Sequence, residues 1–356
     1  MTNLTETSYY TRKILKYGSI SFVTFLVLRG LFLVGLEWWK KTHPEPPPPP
    51  TLAFGKIPAI KFPKKDSNPP FYPRLETVDN RLPTFPTTAK VYFIPQQTSN
   101  LFTWDRAKDW AKQIGFSVEP ETPNEYTFVF KTQSFPTTTL TMNVLSGNFT
   151  ISYNYQNDLT LVGLKSAPPQ EQAIAEARNF LQKAGVFTVD LTNGSQEIVY
   201  FRFEPPNLEP AIALSEADLT LVNFFRVNLD DLKIMPPNPK KSLVSVLISG
   251  STDSQKRILE VNYTHFPINE TTSATYPLKN IEDAWQELQK NEAYLANFGQ
   301  NYDGQVVIRK IYLGYFDPPD EQKFLEPIYV FEGDREFFAY VSALDPEYIS
   351  KEGSPK

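Results

Sequence analysis

Two histidines, His43 and His265, and no cysteine limit the chemistry open to this 356-residue chain. Without thiols there is no disulfide, no thiolate nucleophile and no Cys-based zinc site. A Ser-His-Asp triad needs a His set against its nucleophile. His265 instead follows Leu259, Val261 and Tyr263 in an alternating strand pattern, the place of a core or strand-end residue. The closely spaced carboxylates are Glu216/Asp218, Glu332/Asp334 and the group Asp317, Asp320 and Glu321. Neither pair has the oxygen-donor spacing of a calcium loop. The two pairs therefore read as acidic turn residues, and the group as solvated charge in a proline-rich loop. A carboxylate pair for glycoside hydrolysis would meet only in the fold. No catalytic, cofactor-binding or metal-binding residue is assigned from the sequence, and an enzyme is not expected. A net charge of -5 supplies no basic face for nucleic acid.

The elements that carry these residues begin with a membrane anchor. Tyr17 to Leu36 holds twelve Leu, Ile, Phe or Val residues and one charge, Arg29. Each aliphatic or Phe residue favours insertion by roughly 0.3–0.6 kcal/mol, against about 2.5–3.5 for a central Arg, so the sum favours insertion. Trp38 and Trp39 follow at the depth of an interfacial aromatic belt. No small-x-small cleavage site follows the span, which sets an uncleaved anchor above a signal peptide. Arg29 either snorkels to the interface or meets a polar group on another transmembrane protein. The bilayer is thus the first expected partner and a second transmembrane chain the next. Arg12, Lys13 and Lys16 before the span, against Lys40 and Lys41 after it, give a slight positive-inside bias. With a short tail before the helix, that layout puts the large C-terminal part outside the cell.

Thirteen prolines lie between Pro44 and Pro86, including the run Pro46 to Pro50. Such a composition favours polyproline II, a semi-rigid spacer rising about 3.1 Å per residue. Beyond it the pattern is α+β. Ala107, Trp110, Ala111 and Ile114 share one face of a first helix over 103–114. Strands follow at 126–131, 140–144 and 149–155, the last two a hairpin around Ser146-Gly147-Asn148. A second helix opens after Pro168-Pro169 and stops at Gly185; a third starts after Asn280. Phe203-Glu204-Pro205-Pro206 and Leu208-Glu209-Pro210 are echoed by Phe316-Asp317-Pro318-Pro319 and Leu325-Glu326-Pro327. That echo suggests duplicated modules whose Leu-Glu-Pro segments enter equivalent strands. The expected organisation is a tail (1–16), an anchor (17–39), a proline-rich stalk (40–87), three modules (88–160, 161–275, 276–345) and a C-terminal tail (346–356).

The helix Gln170 to Ala177, and the closing stretch Pro327 to Asp334 with Tyr340-Val341-Ser342-Ala343, resemble PepSY-type modules. The layout of one anchor plus such modules is similar to membrane-anchored regulators of the YycH/YycI kind. The resemblance implies tandem helix-plus-antiparallel-sheet modules and a binding or regulatory role outside the cell, with no catalytic residue to transfer. The expected function is an extracytoplasmic binding or regulatory protein acting through protein, peptide or envelope contacts. A structural part of an envelope or secretion assembly is the alternative, and a cell-envelope hydrolase ranks below both.

Overall fold

The computed structural model describes residues 4–42, 49–64, 69–96 and 103–350. It divides into two compact units, Met1–Pro49 and Pro50–Lys356, each taken by itself below. The first contains α1 (Leu4–Thr42). Its stretch Ser8–Leu36 is long and apolar enough to cross a membrane, and an 18-residue window within it has a mean hydropathy of 2.0. The helix starts well before the expected span because no Gly or Pro interrupts residues 4–16, so the expected tail is largely helical. Arg29 lies within the apolar stretch, and Trp38 and Trp39 lie in the last turns of α1.

The second unit mixes helix and sheet, with sheet predominant. It opens with three strands from the region read as a stalk and its edge: β1 (Ile57–Pro58), β2 (Tyr72–Leu75) and β3 (Thr88–Phe93). Next come α2 (Thr103–Gln113) and the hairpins of β4 (Glu121–Asn124), β5 (Thr127–Lys131), β6 (Thr138–Asn143) and β7 (Phe149–Tyr153). The middle of the chain forms α3 (Gln170–Lys183), a single turn α4 (Val189–Thr192), β8 (Gln196–Glu204), β9 (Asn207–Pro210), β10 (Leu219–Phe224), β11 (Lys233–Met235), β12 (Val244–Ser249), β13 (Ile258–Tyr263) and β14 (Asn269–Pro277). The last part supplies α5 (Ile281–Gln289), β15 (Tyr294–Asn297), β16 (Gln305–Phe316), β17 (Phe324–Leu325), β18 (Pro327–Gly333), β19 (Phe337–Ser342) and β20 (Ile349–Ser350).

The expected boundary between the first two modules is not a boundary between sheets. β7 pairs with β13, giving one nine-stranded sheet in the order β4-β5-β6-β7-β13-β12-β10-β8-β9. The physical reason is economy of apolar surface. α2 and α3 cover one continuous face of this sheet, burying Ala107, Ala111, Ala173, Ala177 and Leu181 against Phe128, Leu140 and Val246. Trp110 donates its indole N–H to the Ala184 carbonyl at 2.7 Å, joining the two helices. Gly185, at φ +69°, supplies the left-handed turn that ends α3.

β16 is the axis of a second sheet, ordered β11-β16-β18-β19-β15, with β2 also paired to β16. α5 lays Ile281, Ala284 and Leu288 on it. β14, β3 and β17 form a three-stranded sheet, and β1 pairs with β20.

The expected spacer needs correction. Residues 50–64 and 69–96 are a strap bound to the folded unit, with Ile57 and Phe71 almost fully buried and Leu82 and Phe85 packed on the α5 sheet. Prolines in an extended chain leave the residues between them free to pair at a sheet edge and bury every second side chain. The run Pro46 to Pro48 lies outside the described residues.

The Leu-Glu-Pro echo also fails as a structural repeat. Leu208 to Pro210 lies in β9, an edge strand paired only with β8, whereas Pro327 opens β18, a central strand between β16 and β19.

Candidate functional site

On one side β16 pairs with β18 from Ile308 to Tyr315, with a register shift between Ile308 and Lys310. On the opposite side β2 covers Gln305 to Ile308 and β11 covers Gly314 to Phe316, both running parallel to β16. Among the described residues no strand covers Arg309 to Leu313 between them. A buried strand with one unpaired side presents a row of N–H and C=O groups to any chain that can reach it.

The break opens into a groove. One part, of about 930 Å³, lies between Arg309–Tyr312 and the strap residues Thr77–Thr84. The adjoining part, of about 600 Å³, runs between Lys310–Tyr315, the strap residues Phe85–Lys90 and the loop Asn228–Lys233.

Two walls hold this opening in place. β11 can approach β16 closely because residue 314 is Gly: a Cβ there would stand 2.9 Å from the Lys233 carbonyl oxygen. On the other side β2 is pinned by Phe71, whose backbone exchanges hydrogen bonds with the Asn291 side chain at 3.1 and 3.3 Å. The charges around the groove are mostly paired already: Lys310 with Glu332, Arg309 with Glu76 and Asp334, and Lys90 with Asp230. Tyr312 is held protonated by burial and by the nearby Glu332 carboxylate. The groove is therefore near neutral and offers main-chain partners more than charge.

A second constellation lies where the two large sheets meet. Arg226, just after β10, donates from Nε to Asp190 Oδ2 at 2.8 Å and from Nη1 to Asp317 Oδ1 at 3.1 Å. Nη1 also reaches the Phe266 carbonyl. His265 places Nε2 2.8 Å from the same Asp190 oxygen, and Thr188 donates its hydroxyl to the other Asp190 oxygen. Burial works against charge on Asp190, but the His265 hydrogen bond and the Arg226 charge outweigh it and hold this carboxyl below the usual range. Asp317 is shifted the other way: burial pushes it up more than Arg226 pulls it down.

The residues singled out by sequence thus have definite places. His265 sits just past the end of β13, inside this cluster. Asp317, read as solvated, is buried, because the first residue after β16 turns inward against Arg226. Asp218 is a buried acceptor of the Lys165 and Phe203 backbone N–H groups, and its neighbour Glu216 is exposed. Asp334 chelates the Arg309 guanidinium, and Glu332 pairs with Lys310. Among the described residues no group of three or more His, Asp or Glu is placed to hold a metal ion. Arg226 was missed. Its signal is a lone charge closing the mostly apolar stretch Leu219 to Phe225, where an Arg must find partners to be buried. The open edge of β16 has no signal in the sequence, because pairing is a property of other segments.

No family model matches the chain, and no curated protein matches it. Among solved structures it aligns with an uncharacterized protein from Eubacterium rectale ATCC 33656, at 12% identity, a TM-score of 0.32, and coverage of 72% of this chain and 82% of that one. It also aligns with the Bacillus megaterium YpeB C-terminal domain, at 11% identity, a TM-score of 0.31, and coverage of 70% and 94%. Similarity at this level carries no functional inference.

Proposed function

We propose that this chain is a membrane-anchored, extracytoplasmic binding protein whose folded unit accepts an extended polypeptide segment as an added strand in the break of the β16 edge. The observation that carries the reading is the unpaired run Arg309 to Leu313, flanked by two strands parallel to β16 and opening into a groove. Natural sheets blunt their edges with proline and charge. The edge strands β4 and β9 follow that rule, with Pro123 and Pro210. Arg309-Lys310-Ile311-Tyr312-Leu313 contains no proline, and its two charges, Arg309 and Lys310, are taken up by Glu76, Asp334 and Glu332. An added strand gains affinity from main-chain hydrogen bonds and specificity from alternate side chains, which suits a groove whose charges are already paired. Binding rather than catalysis is further supported by the use of Asp190, Asp218, Asp317 and Asp334 as structural acceptors. The long apolar stretch within residues 8–36 supports the anchor, and the sequence layout around it supports the outward orientation.

The test is selection of a random heptapeptide library on the full chain in lipid nanodiscs, followed by hydrogen exchange of the complex. Selected peptides should protect amides within 309–313. Peptides that protect only other edges, or a library that yields no binder, would remove the reading.

A further inference from the structure

The Asp190–Arg226–Asp317–His265 cluster does more than fill the junction between the sheets. Asp190 stands on α4 and Arg226 follows β10, both on the nine-stranded side, and His265 follows β13 of the same sheet. Asp317 follows β16 of the other sheet. The Arg226 and His265 side chains are 6% and 7% exposed, and that of Asp317 9%. One guanidinium between two carboxylates leaves a negative charge in excess. A buried group without a compensating charge takes up a proton sooner than remain ionised. Arg226 cannot serve as the proton carrier. The group that can is Asp317, while His265 is set against Asp190. The other titratable group facing the cluster is Tyr263, held protonated by burial and the Asp190 charge.

We propose that this cluster is a proton-linked clasp: with the sheets docked it binds one proton more than its groups bind when apart. The clasp governs the segment from Arg226 to Met235, which ends in β11. That segment is fixed at both ends by the cluster, since Val227 N–H donates to the Asp190 carbonyl and Asp317 N–H to the Met235 carbonyl. Asp317 has a higher proton affinity docked than free. Its contribution is therefore complete below the ordinary carboxylate range and lost as pH rises through its docked value. Asp190 has the opposite sign, contributing above the ordinary range and failing as pH falls toward its lowered value. The clasp is tightest in mild acid and loosens on the alkaline side. This inference stands independently of whether a peptide occupies the β16 edge.

The experiment is hydrogen exchange of the full chain in nanodiscs from about pH 4, the ordinary carboxylate range, to about pH 8, corrected for intrinsic rates, read on peptides covering 226–235 and 314–318. Wild type should lose protection with rising pH, by up to roughly tenfold per pH unit, the slope for one linked proton. Asp317→Asn keeps an acceptor for Arg226 and removes the excess charge, so its protection should be flat over the same window. Equal pH dependence in wild type and Asp317→Asn overturns the clasp. His265→Gln is the control: it keeps a hydrogen-bonding group beside Asp190 and should retain the wild-type dependence. Dependence lost in His265→Gln overturns the proposal, because it would then not belong to Asp317.

Discussion

Phe71→Ala tests whether the proline-rich strap is part of the folded unit. Phe71 is 1% exposed, its ring stands 5.2 Å from that of Phe337, and it packs in the same cluster as Leu288 and Val306. Truncating a buried Phe costs about 3–5 kcal/mol from lost transfer energy and the cavity left behind. In a unit of this size each kcal/mol moves the melting temperature by roughly 2 °C, so a shift of about 6–10 °C is expected. Tyr72 is the internal control, because it is the next residue and points the other way, 67% exposed. Tyr72→Ala should stay within about 0.5 kcal/mol of wild type. The strap can also peel away before the rest unfolds, which would cap the melting shift at the strap's own docking energy. Hydrogen exchange over 69–96 covers that case, since peeling raises exchange there and leaves β18 and β19 protected. An unchanged melting temperature together with unchanged exchange over 69–96 would refute the argument and restore the free spacer.

Two further outcomes follow from single side chains. Glu326 is 3% exposed with Oε2 lacking a hydrogen-bond partner among the described residues, and burial pushes its carboxyl well above the usual range. The stability it contributes is complete below the ordinary Glu value and lost as pH rises through the raised one. Glu326→Leu should therefore gain about 1–3 kcal/mol over wild type on the alkaline side and converge with it in acid, measured by denaturant melts across pH. Arg29→Leu removes an insertion cost of about 2.5–3.5 kcal/mol, so membrane-fraction yield should hold or rise. Pairing of Arg29 with another transmembrane chain would appear as lost co-purification of that chain from detergent extracts, and equal recovery would leave snorkelling as its account.

Local order was legible in the sequence, and long-range pairing was not. The helices over Thr103–Gln113, Gln170–Lys183 and Ile281–Gln289 declare themselves by apolar spacing and by Gly185 or a preceding Asn280, all features of short windows. The hairpin of β6 and β7 likewise follows from alternation and turn residues close together in the chain. By contrast, β7 meets β13 and β2 meets β16 across large separations, and nothing in either partner's own residues names the other. The proline count then misled in a specific way. It describes the backbone conformation of the strap, which is extended, and says nothing about whether an extended chain lies in water or along a sheet edge. Ile57 and Phe71, single large apolar residues among prolines, were the sign of burial.

The site shows the same division at the scale of one residue. Asp317 sits in Phe316-Asp317-Pro318-Pro319, a setting that reads as a solvated turn. Its equivalent in the sequence echo, Glu204, is exposed, while Asp317 is buried against Arg226. The two differ in what stands opposite. β8 ends at the rim of the nine-stranded sheet, beside the edge strand β9; β16 ends against β11, next to the arm of Arg226. A carboxylate has no intrinsic preference for one place over the other. Burial is costly for it anywhere, and only a guanidinium already held in the junction by Asp190 makes it tolerable at position 317. The same reasoning states why the acidic residue and the Arg must be considered as one group. Removing Arg226 would leave the buried Asp317 and the partly buried Asp190 without the cation between them, whereas replacing Asp317 by its neutral isostere leaves one matched pair.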